Sequence, residues 1–502
     1  MNFRQVQATL HSWFGIIFLW LIFFIFLTGS IAYFRTEINL WSQPEVVTQV
    51  KMAPMPQHSA KIAFDYLNEH AADAKRWRVN IANERVPVNI LQWQDQNGRH
   101  QQLQNPETGV LLGPVRETQG GDFFFKLHYT LYPLPSTIGS LIVAIAALIL
   151  LISLITGIIT HKKIIKEFFV FRSFKGQRTL LDLHHITGIV TFPFYLVMAF
   201  TGLIILFYLV FPWGLSEQYG KTGILKFYNE MQFVEMAKPQ PVKETMQPFH
   251  KFIIQLPEYA ATGARLDKFD VQNPNQSEAL ISFDYSYKNI ITLNTPQYVF
   301  DANTAKQLQQ TRNLSAVAQF ASSTYGIHLG YFASMWMRII LACLGIIGCV
   351  MLAAGGLLWQ KKRMTNQNNI SYKLIKHLNF FTFLGLPFAS AIYLLVNRIL
   401  PISENMLIPH QTSIFYCAWL SSIVFSLMLP IRQAIIVFMS IISLVLILIP
   451  VASFITIPVA SLWMSLPELR WSVAAVDLAC LFLGVTSILL LYLYIDKMGN
   501  RA

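Results

Sequence analysis

Cysteine and acidic residues are both scarce in this sequence. Its four cysteines, Cys343, Cys349, Cys417 and Cys480, all lie in or beside apolar runs, so no extracytoplasmic disulfide framework is expected. No Cys-x-x-Cys-His stands anywhere in the chain, which argues against covalent attachment of a c-type haem. A Walker loop, a dinucleotide fingerprint and a nucleophilic triad pattern are also missing, so phosphate cradling, nicotinamide binding and triad hydrolysis have no signature here. No small-residue cleavage site follows the first apolar run, which reads as a retained membrane anchor. Asp and Glu total 26 against 38 Lys and Arg, a formal net charge of +12. That surplus gathers in particular loops, the pattern of membrane topology, and no nucleic-acid partner is expected.

What the chain has in abundance is apolar length. Hydrophobic residues fill 54% of its 502 positions and the mean hydropathy is +0.44. Several runs exceed the about 18 residues that mark a transmembrane helix. The expected fold class is therefore membrane α-helical, with eight spans: 1–34 (apolar from Ser12), 136–160, 185–211 and 334–359, and four more within 378–502, at 378–397, 412–429, 434–458 and 471–495. Basic loops at 161–184 (Lys162, Lys163, Lys166, Arg172, Lys175, Arg178) and 360–377 (Lys361, Lys362, Arg363, Lys373, Lys376) contrast with nearly uncharged connections at 399–411 and 459–470. The asymmetry puts both basic loops and both termini in the cytoplasm. Segments 35–135 and 212–333 then face the periplasm of a bacterial inner membrane.

Each outer segment reads as a small α+β unit, a helix followed by short alternating strands and a turn. The first has Ala60–His70, then Arg76–Ile81, Pro87–Gln94 and Arg99–Leu103, and the turn Asn105–Gly109. The second has Met246–Tyr259, then Leu266–Val271, Glu278–Tyr285 and Asn289–Thr295, and the turn Asp301–Ala305. The likeness belongs to a longer internal repeat. Leu10-His11-x-x-x-Gly15 returns as Leu183-His184-x-x-x-Gly188, and Thr28-Gly29 and Thr201-Gly202 follow the two histidines at one interval (28 − 11 and 201 − 184 both give 17). His128 precedes the second span and His328 the fourth, and those spans close alike, Gly157-x-x-x-His161-Lys-Lys against Gly356-x-x-x-Gln360-Lys-Lys. The duplicated unit is span, outer α+β segment, span.

A lone histidine at a helix end commonly anchors it at the interface. Four that form two level pairs point instead to a cofactor, because imidazoles presented into a bundle hold haem iron for electron transfer. A hydrocarbon core about 30 Å thick separates the levels, so the expected pairs are His11 with His184 and His128 with His328. His161 has no twin. It could replace a ligand of the inner pair, or bond a haem propionate together with Lys162 and Lys163. His185 is turned about 100° from His184 on a helix, so the two cannot ligate one iron. Asp477, an acid inside the last span, is a functional suspect by position. No catalytic residue is assigned.

These motifs resemble the PepSY-associated transmembrane helix family, iron-regulated inner-membrane proteins that include ferric-siderophore reductases. The matching residues are Leu10-His11-x-Trp13-x-Gly15, Leu127-His128, Gly157-x-x-x-His161-Lys-Lys, Phe171-Arg172, Lys175, Arg178, Asp182-Leu-His184-x-x-x-Gly188-x-x-x-x-Pro193-Phe194, His328, and Trp359-x-Lys-Lys-Arg363. They cover residues 1–363, and His185 stands where the family has Asn. The resemblance implies two b-type haems in the membrane and PepSY domains in the periplasm. It implies a haem-dependent ferric-chelate reductase that takes electrons from a cytoplasmic or quinone donor and passes them to a ferric siderophore. The alternative is a regulatory membrane protein whose PepSY domains sense or inhibit an extracytoplasmic partner such as a peptidase, with the histidines as packing residues.

Overall fold

The computed structural model describes residues 1–50, 55–161, 171–172, 176–206, 212–221, 223, 226–227, 230, 242–256, 264–287, 291–292, 297–310, 314–363, 369–401, 407–468 and 470–499. Much of both basic loops (162–170, 173–175, 364–368), the expected end of the third span (207–211) and most of the strand expected at 289–295 lie outside them. The chain divides into two compact units. One is Met1–Pro44, Arg116–Val210 and Trp336–Ala502; the other is Glu45–Val115 with Phe211–Met335.

The first unit is helical. It comprises α1 (Phe3–Ala32) and α2 (Arg35–Ser42), later α4 (Gly120–Thr130), α5 (Ser136–Thr160), α6 (Gln177–Val190) and α7 (Phe192–Ile205), then α9 (Met335–Lys361), α10 (Ile370–Ile399), α11 (Leu407–Met428), α12 (Ile431–Thr456) and α13 (Trp471–Gly499). Seven of these are long and apolar enough to cross a membrane; α6 and α7 pass the same test only as a pair, bent by 66° at their junction, and counted as one span they bring the number to eight. The sequence suggested an unbroken third span. Pro193 explains the break: it has no N–H to give Ile189, and its ring crowds that carbonyl. The helix therefore stops at Val190 and restarts at Phe192.

A second difference concerns the histidines. His128 and His328 were expected at the heads of spans. They lie instead near the ends of separate short helices, α4 and, in the other unit, α8 (Ala316–Leu329). Both helices stop on a left-handed residue, Leu131 at φ 49° and Gly330 at φ 65°, a usual helix ending.

The second unit contains α3 (Pro56–His70) and seven strands: β1 (Arg76–Asn80), β2 (Asn89–Gln94), β3 (Arg99–Gln104), β4 (Ala264–Gln272), β5 (Leu280–Tyr287), β6 (Gln297–Asp301) and β7 (Gln307–Gln310). The expectation of two separate α+β domains is corrected here. All seven strands form one antiparallel sheet, in the order β3-β2-β1-β4-β5-β6-β7. The two halves meet where β1 pairs with β4, from Arg76 opposite Gln272 to Asn80 opposite Lys268. Asp270 secures this join by accepting from Arg76 Nη2 at 2.7 Å and Arg78 Nε at 3.2 Å. The order mirrors about that pair, so the repeat associates with itself across a local two-fold, as two subunits would. The two turns match in detail. Asn105 Oδ1 accepts from the backbone N–H groups of Glu107 and Thr108, and Asp301 Oδ1 from those of Asn303 and Thr304.

One face of the sheet is covered by Ala60, Ala63, Phe64 and Leu67 of α3, packed with Trp77, Val79, Phe269, Val271, Phe283 and Phe300. The second helix, expected over Met246–Tyr259, is helical only at His250–Ile253 among the described residues.

Candidate functional site

Four of the five candidate histidines sit in the helical unit, and three of them are seated in the same way. His11 Nδ1 of α1 lies 2.9 Å from the Ser153 carbonyl of α5. His184 Nδ1 of α6 lies 2.9 Å from the Met351 carbonyl of α9, and His128 Nδ1 of α4 lies 2.9 Å from the Ile25 carbonyl of α1. In each case a glycine stands four residues after that carbonyl, at Gly157, Gly355 and Gly29, and its bare Cα lets the ring lie flat against the helix. A Cβ there would fall 3.1 Å from His11 Cε1, 3.1 Å from His184 Nδ1 and 2.7 Å from His128 Cε1 respectively. Thr156 and Thr28, directly before two of these glycines, bond the same carbonyls through their hydroxyls, Thr156 to Ser153 at 3.1 Å and Thr28 to Ile25 at 3.3 Å.

The seat fixes the tautomer. A carbonyl can only accept, so Nδ1 carries the proton and donates it. Nε2 keeps its lone pair. This is the arrangement of a metal-binding histidine, whose other nitrogen is oriented by an outer hydrogen bond.

His11 and His184 face each other with ring centroids 6.2 Å apart and planes at 65°. Two imidazoles on opposite sides of one metal, each with its nitrogen about 2 Å away, have ring centres roughly 6 Å apart. The ring separation of the inner pair is therefore that of two imidazoles sharing one iron. Among the described residues no group of three or more His, Cys, Asp or Glu is placed to hold a metal ion. Two imidazoles alone are the donor set of an iron already held by a macrocycle, not of a bare ion.

Gly29, the seat of His128, lies 18 residues beyond His11 on the same helix (29 − 11), about 27 Å along its axis. His128 is thus remote from the His11–His184 pair. His328 belongs to the other unit, half-buried on α8.

His161, left open by the sequence, ends α5. Its Nε2 lies 2.9 Å from His185 Nδ1, the rings 4.1 Å apart. His185, set aside as a ligand, thus ties α6 to the end of α5 while its neighbour His184 faces His11. Asp182, one turn earlier, accepts three hydrogen bonds from Arg172, from Nη2 at 2.6 Å and from Nε and the backbone N–H at 2.9 Å each. His377 Nδ1 of α10 lies 3.0 Å from Ser426 Oγ of α11. Sequence reasoning quoted Gly157 only as part of a motif, without a role, and missed Gly355. A signal was there for the first, since Thr156-Gly157 repeats Thr28-Gly29.

Fold and site together define a multi-pass α-helical membrane protein whose bundle presents paired histidines toward one another. The chain belongs to a known family of such proteins: the family described as PepSY-associated TM region matches its residues 8–362. No curated protein matches it.

Proposed function

We propose that this protein is a di-haem electron-transfer protein of a bacterial inner membrane that reduces a periplasmic acceptor, a ferric siderophore. The observation that carries the reading is the His11–His184 pair, seated through Nδ1 and spaced for one iron. His11 and His184 would hold the inner haem. By the sequence repeat, His128 and His328 would hold the outer one. Held by an imidazole from each of two helices, haem b would supply one-electron transfer rather than oxygen binding.

The chain's own residues do the rest. The carbonyls of Ser153, Met351 and Ile25 hold the imidazoles and raise their basicity. The apolar bundle excludes water from the inner site. The sheet domain, as the PepSY portion on the periplasmic side, would hold the acceptor. Reduction loosens the chelate, because hard oxygen donors hold Fe(II) less tightly than Fe(III). The electron donor would be a cytoplasmic reductant or a membrane quinol.

The test is a dithionite-reduced minus oxidised spectrum of the purified full-length protein, with haem-to-protein stoichiometry. About two b-type haems per chain is the expected result. A protein without haem, purified intact from haem-replete cells, would refute the proposal and leave the regulatory reading in its place.

A further inference from the structure

Among the described residues the last four spans, α10 to α13, carry no histidine paired with another histidine, yet α10 and α11 pack against the start of α4 through Tyr393 and Phe415, which both meet Phe123. We propose that they act as a clamp that sets the position of His128, working through α2. This rests on the reading of His128 as a haem ligand.

α2 holds the start of α4. Asn39 Oδ1 accepts from the backbone N–H groups of Gly121 at 2.7 Å and Asp122 at 3.2 Å, capping α4 from outside its own chain segment. Asn39 Nδ2 donates to Asp122 Oδ1 at 2.8 Å, and Arg35 Nε donates to the same oxygen at 2.6 Å. The two helices meet so closely that a Cβ on Gly121 would fall 2.4 Å from the Arg35 carbonyl. His128 follows Asp122 by six residues (128 − 122), about 9 Å along the helix. A tilt at Asp122 therefore reaches the imidazole.

The last spans hold α2 in turn. Trp41 Nε1 donates to Asp477 Oδ1 at 2.8 Å. The Arg398 guanidinium lies over the Trp41 ring, 3.7 Å from its centroid. Arg398 Nε donates to Ser453 Oγ at 2.9 Å, and Ser453 Oγ donates to Asp477 Oδ1 at 3.1 Å. The circuit closes on itself across α10, α12, α13 and α2. Its members are 2% exposed or less, and among them are one Arg and one Asp side chain. A buried pair of this kind adds little net stability over an apolar core, but losing one partner strands the other. Its use is to specify one arrangement. The same spans also touch α4 directly: Phe123 stacks on Tyr393 at 4.4 Å, and Tyr393 Oη donates to the Gly120 carbonyl at 3.2 Å. On its other side α2 is tied to α9 by the buried Glu37–Arg338 pair at 2.8 Å. Trp41, Arg398, Ser453 and Asp477 are thus positioning residues.

The experiment compares full-length wild type, Asp477→Leu, Trp41→Phe and the double variant; the first removes the acceptor oxygens at similar volume, and the second removes the indole N–H while keeping an aromatic ring. Two readouts are taken on each: a redox titration with low-temperature EPR, and hydrogen exchange of peptides covering 120–130. Loss of the buried hydrogen bond should speed exchange in 120–130 by about tenfold or more. It should shift the midpoint potential and EPR signal of one haem while leaving the other as in wild type. The double variant should exceed Asp477→Leu alone very little, because the two residues share one bond. Unchanged exchange at 120–130 in both variants would overturn the clamp. So would faster exchange with both haems titrating as in wild type. A haemless wild type would instead refute the proposed function, and the exchange data would still decide whether α2 transmits to α4.

Discussion

Gly29→Ala is the sharpest perturbation of the proposed ligand set. The added methyl would lie 2.7 Å from His128 Cε1 and 2.8 Å from Nδ1, against an ordinary carbon contact of about 3.5–4.0 Å. The ring must therefore retreat by roughly 1 Å. In retreating it gives up the 2.9 Å bond to the Ile25 carbonyl. The lost hydrogen bond costs about 1 kcal/mol, and forcing a methyl into a filled contact costs about 1–3 kcal/mol. The sum, about 2–4 kcal/mol, corresponds to roughly 30- to 1000-fold at about 1.4 kcal/mol per decade. Removing an outer support of a metal ligand commonly costs about 10- to 100-fold in affinity, so even the low end is measurable. The assay is haem stoichiometry by pyridine haemochrome after purification, followed by titration of the residual haem. The stoichiometry should fall toward half. Gly15→Ala is the control, because nothing lies within 4 Å of a Cβ there, and it should retain full haem. If Gly29→Ala keeps full haem with an unaltered spectrum, His128 is not a ligand and its seat is only packing.

Three other outcomes are expected. His11→Ala or His184→Ala should each remove the inner haem and leave about half the total, whereas His161→Ala should keep both haems; a reversed result would make His161 the inner ligand. Asp270→Ala should destabilise the sheet unit by about 1–3 kcal/mol, read as an earlier thermal transition in Trp77 and Trp93 fluorescence, and an unmoved transition would mean the β1–β4 join does not depend on it. Reporter fusions after Gln240 and Lys175 should report periplasm and cytoplasm respectively; the opposite signals would invert the proposed topology.

Much of this architecture could be read from periodicity and repetition. The apolar runs located the spans, and 136–160 matches α5 residue for residue. Period-2 alternation found most of the described strands, β1 as Arg76–Ile81 against Arg76–Asn80 in the fold. The paired motifs singled out His11 and His184, which do face each other. What stayed hidden depends on distance along the chain. Nothing local to Arg76 or Asp270 says that the two outer segments share a sheet, since edge preference and pairing partner leave no periodic trace. Trp41 and Asp477 are 436 residues apart, and neither motif nor repeat connects them. Pro193 was visible, but it was read as one letter of a motif rather than as the point where the helix must break.

The continuous sheet also sets an order of events during synthesis. β4 begins 184 residues after β1 ends (264 − 80). At about 5–20 residues per second, that interval lasts roughly 10–40 s. Throughout it β1 is an open edge, offering its unpaired backbone to any extended chain nearby. Before the partner strand can arrive, α5 must insert and then the bent α6–α7 pair, whose break makes it the least regular of the crossings. Substitutions that slow insertion of that pair should therefore surface first as aggregation of the newly made sheet domain, far along the chain from the altered residue and with every mature contact intact.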